Sequence, residues 1–265
     1  MKILLTNDDG LDAPGISALH TAIQSLGEIM VVAPASGQSA ESHGITFHTP
    51  LMTRSRALLN GANGTAVVGT PADCVKIGLR ALWKEKYGPN SQPDVVISGM
   101  NFGANVGINV IYSGTIAAAV EAAFLGVPAI AVSLHIGDRS KTNLPRAAAI
   151  ARYAIDHVLK PGLPHAHRVI SINVPHTESV DAPMPKIKLV PMNTSAGIDG
   201  YEKRVAPDGQ VYYWSVGNGM EFYHTAEGSD VEALAERCIT ITPLFYDLTD
   251  RMLLERLRKL GVAKE

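Results

Sequence analysis

The sequence predicts a doubly wound, mostly parallel α/β sheet followed by a β-rich extension, and three observations carry that expectation. Short apolar runs alternate with helical patterns through the first half, as in a parallel sheet covered on both faces. Polar and Gly-rich segments recur just after the apolar runs, where the loops of such a sheet gather. From about residue 183 the texture changes to Pro-rich, strand-like pieces joined by Gly and Asp turns. The chain therefore divides into an α/β core over 1–182 and a β-rich extension with a terminal helix over 183–265.

Each element has its own signal. Lys2–Thr6 is a short apolar run, read as the first strand. Residues 14–26 place Ile16, Leu19, Ile23 and Leu26 on one helical stripe, with Gly27 placed to stop the helix. Further strands are expected at 29–33, 66–69, 95–98, 129–133 and 169–174, and helices at 72–83, 116–125 and 146–159. In the extension, residues 186–190, 210–214 and 238–243 read as strands outside any parallel βαβ rhythm, with a turn at Asp208-Gly209. Residues 248–260 form an amphipathic helical pattern, and Tyr212, Tyr213 and Trp214 in a row suit subunit contact better than chemistry.

Composition bounds the function. With 265 residues, 46% of them hydrophobic, the chain can bury one substantial core. Its 23 Lys and Arg against 25 Asp and Glu leave a formal charge of -2, which argues against nucleic-acid polymers and anionic membranes and for a small-molecule partner. Cys74 and Cys238 lack the close spacing of metal or redox motifs and are expected as reduced, buried thiols. The opening MKILLTNDDG is too short and too polar for a signal peptide or membrane span, so a cytoplasmic address is expected.

The sharpest chemical feature is Asp8 beside Asp9 at the end of the first strand. Adjacent carboxylates repel and lose solvation unless a cation or hydrogen-bond donors compensate them. A divalent cation is one answer; a turn in which Asp8 caps and Asp9 stays solvated is the other, since Asp-Gly pairs are common in turns. In the next loops Ser39 offers a hydroxyl and Asn101 a carbonyl oxygen, hard ligands of the kind Mg²⁺, Mn²⁺ or Ca²⁺ accept. The Gly-rich run 98–107 reads as a loop whose backbone approaches something closely, but it is not a dinucleotide fingerprint. Ser113, Gly114 and Thr115 precede an Ala-rich helix, where free N–H groups favour an anion or where Ser113 is simply an N-cap. Gly69 to Asp73 reads as a helix start, while His43 and His48 lie close enough to Ser39 to touch a substrate but are read as solvated.

Taken together, TNDDGLDAPGI (6–16), GTPADCV (69–75), SGMNFGANVG (98–107), YSGTIAAAVEA (112–122) and ITPLFYDLTD (241–250) resemble the survival protein SurE family of 5'-nucleotidases nearly end to end. The resemblance implies a Rossmann-like catalytic domain, a dimer- or tetramer-building extension, and one divalent ion held by Asp8, Asp9, Ser39 and Asn101. It implies phosphomonoesterase action on nucleoside 5'-monophosphates, in some members also on 3'-monophosphates and short polyphosphate. Phosphate oxygens are then expected on Asn105 and around Ser113 to Thr115, with water as nucleophile. Asn109 and Leu11 depart from the residues common at those positions, which leaves substrate preference more open than reaction type. A non-catalytic nucleotide- or phosphate-sensing module is the competing reading, disfavoured because such binders use N–H groups and cations rather than paired acids. Haloacid-dehalogenase chemistry wants its acids two apart.

Overall fold

The computed structural model describes residues 1–177, 179–217 and 219–262. At its centre lies β1 (Lys2–Thr6), whose Ile3, Leu4 and Leu5 are all fully buried because both faces of the strand are covered. Ile3 and Leu5 point to one cluster and Leu4 to the other, as the two-residue period of a strand demands. On the first face pack α1 (Pro14–Ile23) and, from further along, α5 (Leu144–Leu159); on the second pack α2 (Pro71–Ile77) and α4 (Gly114–Phe124).

The main sheet has nine strands. Beside β1 run β2 (Glu28–Pro34) and β5 (Val95–Phe102), both parallel to it. Beyond β2 lies β4 (Asn63–Val68), and beyond β5 lie β6 (Ala129–Leu134) and β7 (Val169–Val174), all parallel to their neighbours. The first edge is β3 (Met52–Ala57), antiparallel to β4 and exposed at all six residues. Lacking an apolar alternation, it gives no strand signal in the sequence. The far edge is built by β8 (Ile187–Leu189) and β11 (Ile239–Leu244), in the order β3-β4-β2-β1-β5-β6-β7-β11-β8.

Several boundaries differ from expectation. The helix expected over 72–83 is three pieces: α2, a π turn over Gly78–Leu82 and α3 (Trp83–Tyr87). Gly78 sits where a Cβ would stand 3.2 Å from Leu4, so the chain approaches the sheet closely there. The run read as a loop from residue 98 continues β5 to Phe102, with a register shift between Ser98 and Asn101 against β6. Its glycines masked the strand.

The extension does not stand apart from the core sheet. β11 pairs antiparallel with β7 and parallel with β8, with α6 lying between β8 and β11 in sequence, so the reading of no parallel βαβ rhythm in this stretch is corrected. Short α6 (Asp230–Ala235) leads into β11. What does project is the hairpin of β9 (Gly200–Val205) and β10 (Val211–Val216), a separate two-stranded sheet closed through Asp208-Gly209, where Gly209 has φ +85°. The terminal helix α7 (Arg251–Lys259), capped by Asp250 on the Leu253 N–H, buries no residue. Cys74 and Cys238 are free and buried. Among the described residues no helix is long and apolar enough to cross a membrane.

Candidate active site

The C-terminal tips of β1, β2 and β5 meet the N-terminus of α4, and Asp8 and Asp9 stand at that junction. The turn after β1 is closed by Asn7, whose Nδ2 donates to Gly10 O at 2.9 Å. Gly10 has φ +97°, which strains any other residue, and a Cβ there would lie a tight 3.1 Å from the Ser36 backbone. Gln38 N–H donates to Asp8 O at 2.8 Å, so the loops after β1 and β2 are locked together.

Asp8 is buried. Its Oδ1 accepts from Thr115 Oγ1 at 2.6 Å and its Oδ2 from Thr115 N at 3.0 Å. Gly114 makes this approach possible, since a Cβ there would stand 2.8 Å from Asp8 Cβ. The carboxylate thus lies on the positive end of α4. Even so, burial pushes its pKa up to about 6, and the neighbouring charge of Asp9 adds to the rise against the opposing Thr115 hydroxyl. Asp9 is partly buried; its Oδ2 accepts from Phe102 N at 3.0 Å. Burial raises its pKa too, opposed by that N–H and by the charge of Arg139.

Asn101 turns its Nδ2 onto Gly103 O at 2.9 Å, which leaves Oδ1 as its open atom. Ser39 is exposed, follows directly on Gln38, and makes no side-chain hydrogen bond among the described residues. Backbone connection alone places it beside the pair. These four residues offer only oxygen ligands, two carboxylates and two neutral groups. Among the described residues no group of three or more His, Cys, Asp or Glu is placed to hold a metal ion. Burial is the main cause of both upward carboxyl shifts, and two carboxyls partly withdrawn from water with neutral oxygens beside them suit a hard divalent cation. The donors from Thr115 and Phe102 offset part of the shifts.

The residues expected at phosphate divide in role. Ser113 Oγ accepts from Ile116 N at 3.2 Å, an N-cap bond, and both Thr115 donors face Asp8. The Gly114 N–H makes no hydrogen bond among the described residues. Asn105 belongs to a different knot: its N–H donates to Asn173 Oδ1 at 2.8 Å, its Nδ2 to Ser133 Oγ at 2.7 Å, and its O accepts from Asn173 Nδ2 at 3.0 Å. Ser133 and Asn173 were not singled out from sequence. The available signal was a polar residue one position before the tip of an apolar strand, β6 and β7 respectively.

Other groups frame the site. Asp230 at the start of α6 accepts from Gly107 N and Asn193 N, each at 2.8 Å, and so ties the loop after β5 to the extension. Asn109 Nδ2 donates to Gly219 O at 2.9 Å, and Leu11 is core. His43 is exposed, as expected, and its ring also meets the buried Glu121 of α4 at 2.8 Å, while Ser42 Oγ donates to Ile111 O at 2.7 Å. His48 is exposed. Thr70 and Asp73 form a capping box at the start of α2, as the helix-start reading expected. Beyond Asn105, His135 and His176 lie with their Nε2 atoms 3.3 Å apart, and burial holds His135 down to about 4.

The chain is similar to known proteins over nearly its whole length. The family model described as Survival protein SurE matches residues 3–197. A protein of Rhodopirellula baltica named 5'-nucleotidase SurE is 42% identical over 258 residues, covering 97% of this chain and 98% of its own. A protein of the same name from Geotalea daltonii is 43% identical over 254 residues, covering 94% and 95%. The crystal structure of the SurE protein from Aquifex aeolicus superposes with a TM-score of 0.79 at 33% identity, covering 98% of this chain and all of that one.

Proposed function

The chain belongs to the SurE family, and from that premise we propose that it is a metal-dependent 5'-nucleotidase, hydrolysing nucleoside 5'-monophosphates to nucleoside and phosphate. The observation that carries the reading is the pair Asp8 and Asp9, held at a sheet tip against a helix N-terminus with both pKa values raised. Nucleoside 3'-monophosphates and short polyphosphate are further substrates on this reading.

Asp8, Asp9, Ser39 and Asn101 would hold one divalent ion, Mg²⁺, Mn²⁺ or Ca²⁺. When bound, such an ion supplies Lewis acidity toward a phosphoryl oxygen. The chain's own groups do the positioning. The Gly114 N–H, open at the positive end of α4, suits an equatorial phosphate oxygen. Asn105 fixes the loop that leads there through Asn173 and Ser133. Both Asp8 oxygens are engaged by Thr115, which counts against direct carboxylate attack and leaves water as nucleophile. Water adds to phosphorus as the ester bond breaks, and the leaving alkoxide takes up a proton. The hairpin of β9 and β10 and the exposed α7 supply the contact surfaces of a homodimer or homotetramer, and the address is the cytoplasm.

The test is phosphate release from a panel of nucleoside monophosphates. Release that needs Mn²⁺ or Mg²⁺, stops with chelator and disappears in Asp8→Ala is expected. An Asp8→Ala protein of near-normal turnover would sink the assignment.

A further inference from the structure

The residues gathered at the tips of β1, β2 and β5 comprise two acids and neutral groups, whereas a phosphomonoester is itself an anion of charge about -1.5 to -2 at neutral pH. The charge of the divalent ion proposed there would be offset by the two acids, so a cation from the protein would balance the phosphoester itself, and one stands at the rim. Arg139 lies in the turn after β6, with its Cζ 5.9 Å from the centroid of the Phe102 ring. Phe102 is the residue whose N–H holds Asp9.

The turn that carries Arg139 is hydrogen-bonded rather than loose. Asp138 Oδ1 accepts from Ser140 N at 2.9 Å and Ser140 Oγ at 2.7 Å, Lys141 N donates to Asp138 O at 3.1 Å, and Thr142 Oγ1 to the same oxygen at 3.0 Å. The other Asp138 oxygen is taken by Lys141 Nζ at 3.1 Å. The one acid on the turn is therefore committed elsewhere, and Arg139 makes no ion pair among the described residues. Its side chain is exposed and its charge is uncommitted.

From this juxtaposition we propose that Arg139 is a substrate-binding residue whose guanidinium contacts the phosphoryl group, supplying the positive charge that the Asp8 and Asp9 corner lacks. The inference rests on the phosphatase reading above and extends it to phosphate recognition. A guanidinium presents paired N–H donors matched to two phosphate oxygens, so lysine should replace it only in part.

Three proteins decide the matter: the unsubstituted chain, Arg139→Ala and Arg139→Lys. Each is assayed on a nucleoside 5'-monophosphate and on p-nitrophenyl phosphate, and binding of inorganic phosphate is measured by equilibrium dialysis. The alanine variant should lose about tenfold or more in kcat/KM on both substrates and bind phosphate correspondingly more weakly, with lysine intermediate and Tm unchanged. Values within about twofold of the unsubstituted protein in all three readouts would overturn the proposal. So would a loss confined to the nucleotide, which would move Arg139 to the nucleoside end. If the unsubstituted chain releases no phosphate from either ester, the enzymatic reading fails instead, and the dialysis still decides about Arg139.

Discussion

Asp8 carries a conflict that single substitutions expose. Its folded pKa of about 6 stands above the ordinary 3.8, so in metal-free protein the folded state takes up a proton more readily than the unfolded one. The penalty is full above about pH 6 and is relieved as pH falls toward 3.8. His135, held down to about 4 from 6.5, works in the opposite sense across much of the same window. The informative quantity is therefore a difference between proteins. In chelator, Asp8→Asn should be more stable than the unsubstituted chain at pH 7, with that advantage shrinking by pH 5; urea midpoints at the two pH values measure it. Turnover should fall by orders of magnitude in the same variant. Thr115→Val removes the hydroxyl on Asp8 Oδ1 and should cost roughly 1–3 kcal/mol, because a buried acceptor loses its partner. A urea titration showing no loss would mean that Asp8 is satisfied by something other than Thr115.

Loops and helices meet at two crowded places, and each gives a prediction at that scale. The first is the N-terminus of α4, where Gly114 lets the helix touch β1. Gly114→Ala would push a methyl within 2.8 Å of Asp8 Cβ and 3.0 Å of Pro71 Cγ, both on firm backbone. The expected cost is about 1–3 kcal/mol of overpacking, together with loss of activity as Asp8 shifts. The second is Asp230, which reaches from α6 to Gly107, 123 residues away in sequence. Asp230→Ala strands the Gly107 and Asn193 N–H groups at roughly 1–3 kcal/mol each. The loop after β5 should loosen with it, so hydrogen exchange should quicken at 105–112; unchanged protection there would show that the loop holds its shape unaided.

Across the whole molecule the main feature is apolar surface without a partner in one chain. The β9–β10 hairpin is two strands only, exposed at nearly every position, with Tyr213 59% and Trp214 56% accessible. Such a pair is marginal in water on its own. In α7, Leu253, Leu254 and Leu257 lie on a helix that buries nothing. Both features are accounted for if copies of the chain pack together there. Light scattering should return a dimer or tetramer, and Trp214→Lys should shift it toward monomer. A monomeric unsubstituted chain at micromolar concentration would count against the assembly.

What the sequence determined by itself was whatever depends on local pattern. The buried parallel strands announced themselves as unbroken apolar runs, and the acids, glycines and hydroxyls after them marked the sheet edge. Asp8 and Asp9 were legible because adjacent acids need an explanation wherever they occur. The exposed edge strand β3 was not, since a strand with no buried face leaves no periodic trace. Only the tertiary structure decided that Thr115 answers Asp8, that Asn105 is clasped by Ser133 and Asn173, that His43 finds Glu121, and that β8 and β11 extend the core sheet. Those contacts join residues from 28 to 107 positions apart, or strands set side by side by the winding of the sheet. No local periodicity encodes such a meeting; it follows from how the whole chain closes on itself.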